Sequence, residues 1–202
     1  MIEARVTKKS TAEKVMEKPK SSEKLATTAE AWPSNIPLPT SEVKCECSDH
    51  YEKVEVDMTF PVSAKALFDT LFTGASFFQD IHENRKDWDI KIGEWSSESP
   101  SKREVSWMFK VDNPMTKVKE TDCVEAQTLL KKNEHLCYVV DCQSRTVNMP
   151  YGDAFQTTTR YCITFASAQS CRLLITIGVA FSKNPLVKCM LFANFTLFIT
   201  RL

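Results

Sequence analysis

Glycine is almost missing from this sequence, with 4 in 202 residues. A loop that cradles phosphate uses glycines to bring backbone N–H groups against the anion, and neither a Walker loop nor a dinucleotide fingerprint is present. An excess of one charge is missing too. Lys plus Arg number 26, as do Asp plus Glu, so the formal net charge is zero and nothing in the balance asks for nucleic acid as a partner. No apolar run reaches the roughly 20 residues of a membrane-spanning helix. The best candidate, Leu186 to Ile199, is interrupted by Lys188 and Asn194. The 8 cysteines contain no C-x-x-C, and His50, His82 and His135 are not spaced for a zinc site. The cysteines therefore read as small, semi-apolar strand residues, and no metal or other cofactor is expected. Met1 to Lys9 is polar and charged, unlike a secretory signal, which makes the cytosol the default compartment and reduced thiols the default state.

What is present is a change of pattern near Tyr51. Residues 1 to 48 are rich in Lys, Glu, Ser, Thr and Ala without a sustained apolar stripe, and read as a disordered linker stiffened by Pro33, Pro37 and Pro39. Trp32 reads as a solvated linker residue, with docking onto another surface as the alternative. From Tyr51 on, Val54, Val56 and Met58 alternate with Lys53, Glu55 and Asp57, the period of a half-buried strand. Ser63 offers an N-cap to a helix carrying Ala64, Leu67, Phe68, Leu71 and Phe72 on one face, closed by Gly74. A second short helix carries Phe77, Phe78 and Ile81. Alternation resumes at Trp88, Ile90 and Ile92 and again at Val105, Trp107, Phe109 and Val111. Further strands are expected over 118–130, 136–147, 155–166 and 171–182, with the tightest turn at Gln169–Ser170. Connections this short favour antiparallel pairing. Leu186 to Ile199 is the natural final helix. The order is strand, two helices, about six strands and one helix. That order predicts an α+β fold in which a curved antiparallel sheet grips a C-terminal helix around an apolar cavity.

The stretch Val147-Asn148-Met149-Pro150-Tyr151-Gly152-Asp153-Ala154-Phe155, followed by Arg160-Tyr161, resembles the VASt domain, a StART-like module. That module occurs in the animal Aster (GRAM-domain) proteins, the fungal Lam sterol transporters and related plant proteins. Leu67-Phe68 with Leu71-Phe72, Val179 to Lys183, and Asn113-Pro114-Met115 match as well, and the resemblance covers about residues 51 to 190. It implies a helix-grip fold over residues 49–202 that binds sterol and moves it between membranes, without catalysis, at endoplasmic reticulum contact sites. Three departures stand out: no GRAM domain precedes the module, no transmembrane helix follows it, and the final helix is shorter than in the family. A truncated interaction module without transport activity is the alternative reading.

The resemblance makes Trp107, Phe109, Tyr161, Phe165, Ile175 and Ile177 candidates for a sterol cavity, although alternating apolar residues are ordinarily plain core. It also makes Asn113, Pro114, Met115, Thr116 and Lys117 a lid loop, against the plainer reading of a hairpin connection. Sterol or a related lipid is the expected partner, together with a membrane surface. Lys117 and Lys119 are placed to meet anionic headgroups, or else to keep a strand edge from aggregating. Arg160 reads as an outward ion-pair partner. His82, Glu83 and Asp87 read as a helix surface followed by a turn rather than as an acid/base pair. No Ser-His-Asp or Cys-His arrangement is visible.

Overall fold

The computed structural model describes residues 32–112, 117–150 and 152–182. Strand β1 (Lys53–Phe60) leads into helix α1 (Ala64–Phe68), a π-helical turn over Asp69–Thr73, and helix α2 (Ala75–Arg85). Six strands follow: β2 (Trp88–Ile92), β3 (Ser101–Lys110), β4 (Glu120–Asn133), β5 (Cys137–Thr146), β6 (Phe155–Ser167) and β7 (Ser170–Phe181). They form one antiparallel sheet in the order β1-β7-β6-β5-β4-β3-β2, so β1 closes the sheet against the last strand and every other neighbour is a hairpin partner. The expected final helix at Leu186–Ile199 lies outside the described residues. The β6–β7 turn is Ala168–Gln169, one residue earlier than expected, because Ser167 pairs with Ser170.

Local chemistry sets the helices. Ser63 accepts from the backbone N–H of Ala66 at 3.1 Å and so caps α1. Gly74 ends the π-helical turn, its N–H donating to the Asp69 carbonyl. Ala64, Leu67, Phe68 and Phe72 are buried against the sheet, and Phe68 stacks on Tyr138 with ring centroids 4.4 Å apart. Lys86 ends α2 in the left-handed conformation at φ 63° and turns the chain back toward the sheet.

Residues directly opposite each other on neighbouring strands share a face. One row runs Val105, Glu125, Ser144, Thr157 and Val179, and the next runs Arg103, Gln127, Cys142, Thr159 and Ile177. A third runs Leu129, Val140, Tyr161, Ile175 and Val56. These rows lie on the face that α1 and α2 cover.

The opposite face is covered by a segment expected to be linker. Val43, Cys45 and Cys47 pack on Cys137, Val139, Cys162 and Leu174, and Val43 N donates to the Phe165 carbonyl at 2.9 Å. Trp32 is half-buried: it meets Phe165 edge-on, ring centroids 5.2 Å apart, and donates its indole N–H to the Ile36 carbonyl at 2.7 Å. Residues 32–48 thus include side chains that dock on the sheet, which the linker reading did not place there. Val43, Cys45 and Cys47 alternate with the exposed Lys44, Glu46 and Ser48, so one short period-2 stretch of an extended chain suffices to dock it on the sheet.

Candidate functional site

A cavity of about 120 Å³ opens between α2, the π-helical turn and the inner face of the sheet. The helical side contributes Leu71, Phe72, Phe77, Phe78, Ile81, His82 and Arg85. The sheet contributes Trp107 from β3 and Tyr161 and Ile177 from β6 and β7. Between these apolar side chains lies a polar wall of Glu125, Gln127, Ser144, Thr157 and Thr159.

Of the six cavity candidates, Trp107, Tyr161 and Ile177 line this space. Ile175 packs into the main core, and Phe109 packs beside Val105 and Trp107 instead. Phe165 is buried at the far end of the sheet against Trp32. Asn113, Pro114, Met115 and Thr116 of the expected lid lie outside the described residues, and Lys117 is exposed.

Sequence reasoning missed the polar wall. Arg103 Nε donates to Gln127 Oε1 at 2.7 Å, Gln127 Nε2 donates to Glu125 Oε1 at 2.7 Å, and Ser144 Oγ donates to Glu125 Oε2 at 2.6 Å. The Arg103 guanidinium also lies over the Trp95 ring at 4.6 Å. The chain is internally satisfied, which is what allows it to be buried. Its members fall in phase with Val105, Cys123 and Leu129 along β3 and β4, and that phase is the signal that marks them as inward-facing. Burial pushes the Tyr161 hydroxyl and the Cys142 thiol well above their ordinary ranges, so these inner-face groups stay neutral near pH 7.

His82 and Asp87 correct the reading of a helix surface and turn. Both side chains are buried, with His82 Nδ1 2.8 Å from Asp87 Oδ2. The left-handed Lys86 makes this contact, because it lets Asp87 N reach the His82 carbonyl at 2.9 Å. The imidazole sits between Phe78 and Trp107, with ring centroids 4.3 and 4.5 Å away. Burial lowers its pKa below the ordinary 6.5. The pair ties the end of α2 to the turn that leads into β2. Trp107 carries the one buried side-chain polar atom among the described residues that has no partner, its indole Nε1–H.

Arg160, on the outer face of β6, is an ion-pair partner as expected. Its Nε and Nη2 hold Asp141 at 2.6 and 2.8 Å, and Nη1 donates to the Asp49 carbonyl at 2.6 Å. The family-like stretch forms the β5–β6 connection: Asn148 has φ 60°, and Gly152 N donates to the Met149 carbonyl. Among the described residues no helix is long and apolar enough to cross a membrane.

The model of the VAD1 Analog of StAR-related lipid transfer domain (VASt) matches residues 54–194. Human Protein Aster-B is 31% identical over 159 residues, which cover 76% of this chain and 21% of that protein. Rat Protein Aster-A is 31% identical over 142 residues, 67% of this chain and 19% of that one. The Arabidopsis thaliana C2 and GRAM domain-containing protein At1g03370 is 29% identical over 147 residues, 68% of this chain and 14% of that one. The chain thus spans about a fifth or less of the length of these curated relatives.

Proposed function

This chain belongs to the VASt family, and on that premise we propose that it binds a sterol or related lipid between α2 and the sheet and passes it between membranes without chemical change. The observation that carries this reading is the lined cavity, with apolar side chains from both layers and a short polar wall at one side. Such a site gains affinity by desolvating apolar area, at about 25 cal/mol per Å², and orientation from few polar groups. Trp107 Nε1–H, buried without an acceptor, donates to the lipid's hydroxyl in this proposal.

Small-molecule sites usually enclose about 300–1,000 Å³, so the cavity of about 120 Å³ must widen to take a sterol. Helix α2 is the wall that yields. Of its eleven residues only His82 is buried, so apart from the His82 contacts with Trp107 and Asp87 little packing resists its outward movement. Asn113 to Lys117 is proposed as the lid, since Val111 N donates to the Lys119 carbonyl at 2.8 Å and holds the base of that loop near the Trp107 end of β3. The lipid-binding unit is proposed as residues 49–202, with endoplasmic reticulum contact sites as the place of transfer and anionic lipid surfaces meeting Lys117 and Lys119. Saturable binding of a fluorescent sterol tests the reading. The small volume also favours the second reading, an interaction module without transport. Sterol transfer between liposomes by this chain discriminates the two.

A further inference from the structure

Three thiols and an imidazole converge on the outer face, away from the lipid cavity. The Sγ atoms of Cys45, Cys47 and Cys162 and a ring nitrogen of His50 all lie within 4.8 Å of one another. We propose that Cys45, Cys47, His50 and Cys162 form a tetrahedral site for one zinc ion, which staples the segment before β1 to the sheet.

The chain is arranged for this. Cys45 and Cys47 stand two residues apart in an extended segment, so both side chains turn to the same side, toward the sheet. Cys162 projects from the middle of β6 on that face, paired across the sheet with Val139 and Leu174. His50 is carried by the bend into β1, and Arg160 fixes that bend by donating to the Asp49 carbonyl.

The distances suit a tetrahedron. Zn–S bonds near 2.3 Å and Zn–N bonds near 2.0–2.1 Å give edges of about 3.8 Å between sulfurs and about 3.6 Å between sulfur and nitrogen. Cys47 Sγ and Cys162 Sγ are 3.9 Å apart, and Cys162 Sγ is 3.5 Å from His50 Nε2. Cys45 Sγ and Cys47 Sγ, at 3.1 Å, have to open slightly.

The donor set and its charge point to the same ion. Thiolates with one imidazole select zinc over calcium or magnesium. Three thiols releasing their protons to solvent leave a zinc complex of charge −1, and the Arg160 guanidinium stands close by, donating to the carbonyl of Asp49, the residue before His50. Cys162 is buried, Cys45 and Cys47 are half-buried and His50 is exposed, which gives the ion a path in past the imidazole. The ligand separation of 112 residues between His50 and Cys162 hides the set from any reading of local spacing. A clip across so long a loop also removes much chain freedom from the unfolded state.

The test uses the full chain, reduced and stripped of metal. Titration with cobalt(II) should produce the visible bands of a tetrahedral thiolate complex, saturating at one equivalent and bleached by zinc. Competition with a chromophoric chelator should give a zinc Kd of about 50 nM or tighter. His50→Ala removes an exposed ligand, so its circular dichroism should match the parent while zinc affinity falls at least about 10-fold. C45S/C47S should abolish the cobalt bands. No thiolate–cobalt bands in the reduced parent, unchanged zinc affinity in folded His50→Ala, or a Cys45–Cys47 disulfide that persists in glutathione buffer overturns the proposal.

Discussion

Arg160 holds Asp141 with two nitrogens, at 2.6 and 2.8 Å, across the β5–β6 pair, while its chain neighbour Tyr161 lines the cavity on the other face. One residue step of β6 thus separates the anchor of the outer surface from the cavity wall. Both side chains are mostly buried, at 17% and 13% exposure, so cutting the pair strands a charge. Arg160→Met should lower the unfolding free energy by about 2–3 kcal/mol in denaturant melts. A loss below about 0.5 kcal/mol would mean that the pair behaves as an ordinary surface bridge.

Gly152 is fixed by space rather than by its backbone angle. A Cβ there would stand 2.5 Å from the Thr146 carbonyl oxygen and 3.2 Å from that of Met149, both backbone atoms that cannot step aside. Gly152→Ala should cost about 1–3 kcal/mol of stability through strain in the β5–β6 connection. A melting temperature equal to the parent's would show that this turn relaxes freely.

Much of this architecture is legible in the sequence, and the illegible parts have physical reasons. Alternation along β3, β6 and β7 shows which side chains face inward, because a strand's period survives whatever packs on it. The same period concealed Arg103, Glu125 and Gln127, whose polarity suggests solvent although their phase points into the protein. Ile175 and Phe165 show the limit of the pattern: it assigns a face but not a position along it, and only three candidate residues reach the cavity. Trp32, Cys45 and Cys47 are illegible because the side chains they pack against lie on β5 and β6, far along the chain. His82 and Asp87 look like helix surface until the left-handed Lys86 folds one back on the other.

The His82 latch predicts a pH dependence with a definite sign. Burial lowers the folded imidazole's pKa below 6.5, so on acidification the unfolded chain takes up that proton first. The contribution of neutral His82 is complete above about pH 6.5 and is lost as the pH falls toward the lower, folded value. Thermal melts of the parent should therefore fall more steeply below pH 6.5 than those of His82→Gln. Parallel curves for the two proteins would remove His82 from the account.

Trp107 separates stability from binding. Its unpartnered indole N–H costs the folded protein something, and in the proposed complex it gains an acceptor. Trp107→Phe should leave the melting temperature unchanged or slightly raised while weakening sterol binding about 10-fold, the value of one hydrogen bond of about 1.4 kcal/mol. Equal affinity in a well-folded Trp107→Phe would place the lipid hydroxyl elsewhere.

The central claim is that this chain holds a lipid between α2 and the sheet. The most direct measurement is titration of the full chain with a fluorescent sterol, paired with competition by unlabelled sterol. Saturable binding near one sterol per chain, displaced by the unlabelled lipid and weakened by replacing Ile177 with Asp in a variant that retains the parental β-sheet spectrum, is the predicted result. A folded chain that shows no saturable sterol binding would contradict it.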